Sequence, residues 1–480
     1  MALGWIDLGV LAAYFAVTIG IGLWAGRKER DTADFFLGGR RQHWLLAGMS
    51  IIATEVSAVT LIAVPAEAFR SDWSYLQMYA GSFLGRVAIA FVLLPAFYRG
   101  SVTTVYEYLG QRFGRWTRTT ASLMFFASRV IGSGIRLLIA SLAISVVFGW
   151  RLELVVAASA GIAIVYAAAG GIKAIMWTDA FQAILFIAAA VVAVVVIFQQ
   201  TPGSWQENLH SAYSAGKFHT FTWSGGLNND KVFWILTLNA FFTTMAALGT
   251  DQDMTQRMLT CPNLRDGQRS LLFNAVAGLP IVCVFLLIGS LLYAYGERSP
   301  LPDVGDRVFP HFIASAMPHD VGIKGLMVAA IFAAAMSSLS SAIGALATTA
   351  VNDFYRPFTR HRSEAQYLRA ARAFTIVFGA ILIAVAMAFA GSDELLWKIF
   401  KWVGLVFGGM LGIFLLGVTT RARGHDGWNV VAMLSSFGFL TAVMLNEGSP
   451  GEAIIAWPWW VVLGTAWTYL VAACFRRRPI

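Results

Sequence analysis

Apolar runs of roughly 20 residues, long enough for a helix to cross a bilayer, start near residues 4, 44, 74, 119, 152, 175, 231, 268, 322, 371, 395, 428 and 454. They predict thirteen membrane helices. Several are separated only by short turns such as "GGIKAIMW" and "AGSDE", so the chain is expected to form one bundle without an extramembrane domain. Polar interruptions say more than the apolar runs. Residues 332–344 read "FAAAMSSLSSAIG", and each of those four hydroxyls needs a partner, because an unsatisfied polar group in hydrocarbon costs several kcal/mol. The second segment, "SIIATEVSAVTLIAVPAEAF", carries Thr54, Glu55, Ser57 and Thr60 among β-branched residues that are weak helix formers. A break near Thr54 to Ser57 is predicted, and backbone broken at that depth must line a cavity. The competing account is an unbroken helix with Glu55 paired to a neighbour's arginine. The seventh segment, "FWILTLNAFFTTMAALGTDQDMTQRM", has a similar polar patch at Asn239, Thr243 and Thr244, where a second interruption is expected. Counted from the second segment, the two interruptions open successive five-helix groups of opposite sense. Paired broken helices in inverted repeats point to a midplane binding site in secondary transporters.

Composition agrees with the pattern. With 58% hydrophobic and 13% charged residues and a mean hydropathy of +0.67, an ordinary soluble globular chain is excluded. Cys261, Cys283 and Cys474 have neither metal-ligand spacing nor the number for a disulfide framework. The net charge of +9 is explained by where the cations fall: 23 of 35 Lys and Arg, Arg257 among them, lie in alternate loops on one side of the bundle and in the tail "FRRRPI". Seven lie on the other side, and Arg86, Arg129, Arg136, Lys398 and Lys401 lie inside segments. The asymmetry puts the basic loops and C-terminus in the cytoplasm and the N-terminus outside, in a plasma (inner) membrane. The first segment, with "RKER" after it and no cation before it, is the reverse of a cleaved leader. Nucleic acid drops out as a partner, and no obligate protein partner is indicated.

Arg129 and Arg136, seven apart in "FFASRVIGSGIRLLIASL", share a face over two turns. An arginine inside a spanning helix needs a partner, and its fork suits a carboxylate. Either they hold an anionic substrate, or one pairs structurally with Glu55 or Asp179. A channel would need a polar stripe or filter loop, and an enzyme would need clustered catalytic groups in the membrane, whereas His43, His210, His311 and His319 lie in loops or at helix ends.

The stretches "DFFLGGR" (34–40), "TVYEYLGQRFG" (104–114), "GGIKAIMWTDAFQ" (170–182), "DQDMTQRML" (251–259) and "AAAMSSLSSA" before "NDFYRP" together resemble the sodium/solute symporter family. The resemblance implies a non-enzymatic, sodium-coupled symporter with an all-α LeuT-type fold. Residues 1–42 would be an extra helix and loop, 43–200 the first repeat, 201–230 an extracellular loop, 231–419 the second repeat, and 420–480 two further helices. It implies a sodium site made of the carbonyls of Ala53, Val56 and Ala334 and the hydroxyls of Ser337 and Ser338, neutral oxygens that let a hard cation bind and leave. The competing account of these serines is close helix packing. A second sodium site of Asp179, Ser337, Ser340 and Ser341 is implied by likeness to sialic acid symporters; the three serines share one helix face. Thr54, Ser57, Thr60, Trp73, Gln77, Arg129, Arg136 and an aromatic wall of Phe241 or Phe242 are the substrate candidates. Trp73 and Gln77, four apart, would face the same way. The arginine of sialic acid symporters aligns at Gly132, between the two arginines here. "AVPAEAFR" with "VYEYLGQRFG" resembles the branch for monocarboxylates, vitamins and iodide, so the expected substrate is a small carboxylate, with sugar or amino acid symport as alternatives. A transporter-like sensor is a further alternative, disfavoured because the chain stops after "FRRRPI".

Overall fold

The structure is a computed structural model describing residues 4–27, 31–226, 229, 231–299, 301, 307–359, 362–390, 395–446 and 457–476, without the side chains of 58, 59, 146 and 395–402. The side chains of Lys398 and Lys401 and the expected segment start near 454 therefore lie outside the described residues. The described residues form helices in the order α1 (Trp5–Ala25), α2 (Thr32–Leu37), α3 (Trp44–Glu55), α4 (Ala58–Arg70), α5 (Met78–Ala88), α6 (Leu94–Arg99), α7 (Val105–Arg112), α8 (Arg115–Phe148), α9 (Leu152–Gln200) and α10 (Trp205–Ser214). They continue with α11 (Phe233–Gly249), α12 (Gln252–Leu259), α13 (Leu264–Arg298), α14 (Val308–Ser315), α15 (Ile323–Thr349), α16 (Arg356–Phe358), α17 (Glu364–Ala388), α18 (Leu395–Thr419), α19 (Asp426–Leu445) and α20 (Trp459–Ala473). A π-helical turn at Ile89–Leu93 joins α5 to α6, and another at Ala350–Tyr355 extends α15.

Among the described residues, eight helical stretches are long and apolar enough to cross a membrane, or up to ten when the bent pairs α3–α4 and α11–α12 each count as one span. The shorter apolar helices Val403–Thr419 and Trp459–Ala473 add to these. Within α9, Gly171 leaves the helical region (φ 52°, ψ −145°). A side chain there would run into the Phe35 carbonyl, 2.4 Å from an ideal Cβ, so glycine suits both the turn and the approach of α2.

Helix α15 is the axis. Its most apolar window is 94% buried, against 28% for α1, α17 and α19, and it packs against α9, α8, α1 and α17. The serine run therefore faces protein, where polar groups find partners.

Helices α5 and α11 approach most closely at Gly81, whose ideal Cβ would lie 1.8 Å from the Thr237 carbonyl oxygen and 2.9 Å from the Phe241 nitrogen. Both obstacles are backbone, so Gly81→Ala is expected to destabilise by about 2 kcal/mol, within the range for overpacking, read as lower thermal stability in detergent. An unchanged melting temperature would show that the helices can separate freely.

The first predicted break is where the sequence placed it. Helix α3 ends at Glu55, Val56 is non-helical (φ −77°, ψ 82°) and Ser57 is extended before α4, with a bend of 56°. The second is displaced. Helix α11 runs intact through Asn239, Thr243 and Thr244, and the 63° bend falls at Thr250–Asp251. The reason is that Asn239 donates to the Pro458 carbonyl (2.7 Å) and Thr244 meets the Ser82 hydroxyl (2.8 Å), lateral partners that leave the helical ladder alone. Asp251 breaks it by capping α12, accepting from the Asp253 N–H at 2.9 Å.

Candidate functional site

The break between α3 and α4 frees backbone oxygens. The Ser57 N–H donates to the Glu55 carbonyl at 3.0 Å, so the Ala53 carbonyl lacks its usual helical donor. Facing it on α15, Ser338 lies 3.5 Å from the Thr54 carbonyl. Ala53, Ala334 and Ser337 are fully buried, and Val56 and Ser338 nearly so. Of the five residues of the first implied ion site, Ser338 thus stands at the broken end of α3, while Ser337 turns to Asp179.

Beside this break lies a chain of charges. Asp179 of α9, fully buried, accepts from Ser50 (2.6 Å) and Ser337 (2.7 Å). Thr54 donates to the Ser50 carbonyl (2.9 Å) and lies 3.1 Å from the Ser341 hydroxyl. Ser340 donates to the Ser337 carbonyl (3.2 Å), within its own helix. Between Asp179 and Ser341 sits the guanidinium of Arg257, 3.1 Å from Asp179, bonded to Ser341, and 2.7 Å from Ser50. Its other side pairs with Asp253 at 2.8 Å, and Asp253 and Asp251 pair with Arg129 of α8. Charges alternate from α8 through α12 to α9, as buried charges must to be tolerated.

Three sequence expectations are corrected. Neither Arg129 nor Arg136 pairs with Glu55 or Asp179: Glu55 takes Arg86, which also donates to Asn274 (2.7 Å), while Asn274 donates back to Glu55 (3.0 Å). Arg257, counted above among loop cations, is buried in the core; its place in "DQDMTQRML" and the acids before it were the available signal. Trp73 and Gln77 do not share a face, because Ser74–Gln77 is a 3₁₀ turn, in which positions three apart align. Trp73 donates to Ser290 of α13 (2.9 Å). Gln77 instead holds the loop beyond α10, accepting from the Thr222 N–H and donating to the Lys231 carbonyl, both at 3.1 Å.

Of the other substrate candidates, Ser57 begins α4 without a capping bond and Thr60 is half-buried one turn on. Thr54 is committed to the charged cluster. Phe241 and Phe242 meet edge to face at 5.2 Å, also half-buried. Arg136 is within electrostatic reach of Asp251, Asp253 and Arg129 but has no hydrogen bond or ion pair among the described residues. The Ser133 hydroxyl, one turn away on α8, is buried without a partner as well.

The model of the sodium:solute symporter family matches residues 35–427. The chain is 30% identical to the sodium/sialic acid symporter NanT of Aliivibrio fischeri, over 87% of this chain and 84% of that protein. It is 31% identical to the sodium/sialic acid symporter SiaT of Proteus mirabilis, over 90% and 88%. The human sodium-coupled monocarboxylate transporter 1 is 28% identical, over 94% and 72%. The fold is similar to a substrate-bound, outward-open Na+-coupled sialic acid symporter, with a TM-score of 0.88 and 28% identity over 98% and 97% of the two chains.

Proposed function

The chain belongs to the sodium:solute symporter family, and from that premise we propose that it imports a small carboxylate-bearing solute with sodium, by alternating access. Sialic acid and monocarboxylate symporters stand among its relatives. The observation that carries the substrate class is Arg136, a cation inside the bundle with no ion-pair partner among the described residues, beside the unpartnered Ser133 hydroxyl. A carboxylate would satisfy both, and an intramembrane arginine is rarely left without such a partner. Arg129 serves instead as a structural cation for Asp251 and Asp253.

The first sodium ion is assigned to Ala53, Val56, Ala334, Ser337 and Ser338, supported by the released backbone at the break. The second is assigned to Asp179, Ser337, Ser340 and Ser341, where Arg257 now fills the place of a cation. Ion entry there requires Arg257 to move toward Asp253. Arg129 and Arg257 already pair with Asp179, Asp251 and Asp253, which leaves Arg136 to receive the carboxylate.

The reading includes thirteen crossings in two inverted five-helix repeats, with the N-terminus outside and the basic loops in the cytoplasm. It is supported by the breaks that open the two groups and by α9, whose 49 residues would extend about 74 Å if straight, more than twice a hydrocarbon core of about 30 Å.

The test is a thermal-shift screen of organic acids, sugars and amino acids, with and without sodium. Carboxylates are expected to stabilise the protein only with sodium, and Arg136→Gln is expected to raise their apparent Kd or KM about tenfold, the loss of one charged hydrogen bond. Equal stabilisation by uncharged sugars, or by carboxylates without sodium, would overturn this reading.

A further inference from the structure

A groove of about 480 Å³ opens between the end of α6 and the end of α18, far in the chain from the serine run and its charges. Its lining includes the apolar Phe91, Val92 and Val418. Phe91 is 60% and Val92 42% exposed, inside the stretch Ser74–Arg99 that is long and apolar enough to span a membrane, so this apolar lining continues onto the surface that meets lipid. Its rim carries three arginines and no acid: Arg99, Arg112 and Arg421. Arg112 is held in place by the carbonyls of Gly417 (3.2 Å) and Thr420 (2.7 Å). Arg99, the last residue of α6, and Arg421, two residues past α18, are exposed and have no ion pair among the described residues.

The neighbouring cavity shows the contrast. It is about 550 Å³ and is lined by Arg115 and Arg118 together with Glu107 and Asp353, and there Arg118 already pairs with both acids. Its charge is met within the protein. The groove at Arg99 and Arg421 has no acid in its lining, and its cations share that lining with Phe91, Val92 and Val418.

We propose that this groove binds an anionic phospholipid of the leaflet on the basic-loop side, with the phosphate between Arg99 and Arg421 and an acyl chain along Phe91 and Val92. A phosphate is matched by the two guanidinium forks, and a basic pocket between helix ends at the membrane boundary is the arrangement that retains such head groups. A soluble anion would use the arginines but not the apolar lining. The lipid would bridge the ends of α6 and α18.

The experiment is native mass spectrometry of the detergent-purified full chain, titrated with phosphatidylglycerol or phosphatidylcholine. It compares the wild type, Arg99→Gln/Arg421→Gln, and Arg362→Gln as an exposed arginine outside the groove. Wild type and Arg362→Gln are expected to retain phosphatidylglycerol about tenfold more tightly than the double variant, with no such difference for phosphatidylcholine and no displacement by inorganic phosphate. Equal retention by the double variant, equal binding of phosphatidylcholine, or displacement by millimolar inorganic phosphate would each overturn the proposal. Melting temperatures of the variants, expected to match the wild type, exclude misfolding as the cause of a lost adduct; should the double variant melt early, the single variants Arg99→Gln and Arg421→Gln, each expected to weaken the adduct severalfold, replace it, and equal retention by both would overturn the proposal.

Discussion

Asp179→Asn is expected to lower sodium-driven uptake by about 100-fold or more, corresponding to roughly 2.7 kcal/mol of lost cation attraction. Asparagine is nearly isosteric and can still accept from Ser50 or Ser337, so helix packing around position 179 should persist. What disappears is the charge, at a fully buried position where water cannot replace it. Arg257 keeps Asp253 at 2.8 Å, which limits the accompanying loss of stability. The measurement is uptake into proteoliposomes against sodium concentration, with the melting temperature as a control for folding. A fall in the sodium Hill coefficient toward one would mark Asp179 as the ligand of a second ion. Unchanged uptake with an unchanged Hill coefficient would remove Asp179 from ion binding and leave it as a structural partner of Arg257.

The second large effect is expected at Arg86, which closes a triangle with Glu55 and Asn274 and also donates to Ser82. The guanidinium is 1% exposed, while the Glu55 carboxylate is 35% exposed. Removing one partner of a buried ion pair costs about 3–5 kcal/mol. Because water reaches Glu55, Arg86→Met should fall at the low end, about 3 kcal/mol. The triangle ties the end of α3 to α5 and α13, so the loss should appear as early thermal unfolding and as weakened sodium stabilisation at the break. Glu55→Gln combined with Arg86→Met should recover part of the loss, since no unpaired carboxylate remains; the double-mutant cycle measures the coupling. A loss below about 1 kcal/mol would show that the triangle does not hold the break.

What the sequence revealed and what it hid follow from the range of the interactions involved. The spanning segments were legible because their signal is local, an apolar run of helical length. The break at Val56 was also local, since weak formers and a charge fall within one turn. The second break was misplaced because Asn239 and Thr244 look like breakers only until their lateral partners, Pro458 and Ser82, are known, and those are 219 and 162 residues away in sequence. The pairings were hidden for the same reason. Arginine and aspartate types in membrane segments announce that partners must exist, but nothing local says that Glu55 takes Arg86 or that Asp179 takes Arg257. Gln77 shows a further limit. Its side chain suited a solute, yet it meets the backbone of the loop beyond α10, whose path no periodicity encodes.

The alternating charges also bear on the order in which the bundle can be assembled during synthesis. An ionised residue at the centre of an inserting helix costs about 2.5–3.5 kcal/mol on insertion scales, and the ribosome delivers partners in sequence. Arg86 emerges after Glu55, and Asp179 after Ser50 and Thr54, so each enters the bilayer with a polar group already there to receive it. Arg129 has no such predecessor. Its acids, Asp251 and Asp253, come roughly 120 residues later, on the order of ten seconds at ordinary rates of translation. Until then α8 holds a cation in the membrane without its final counter-charge, a cost that falls on the insertion machinery.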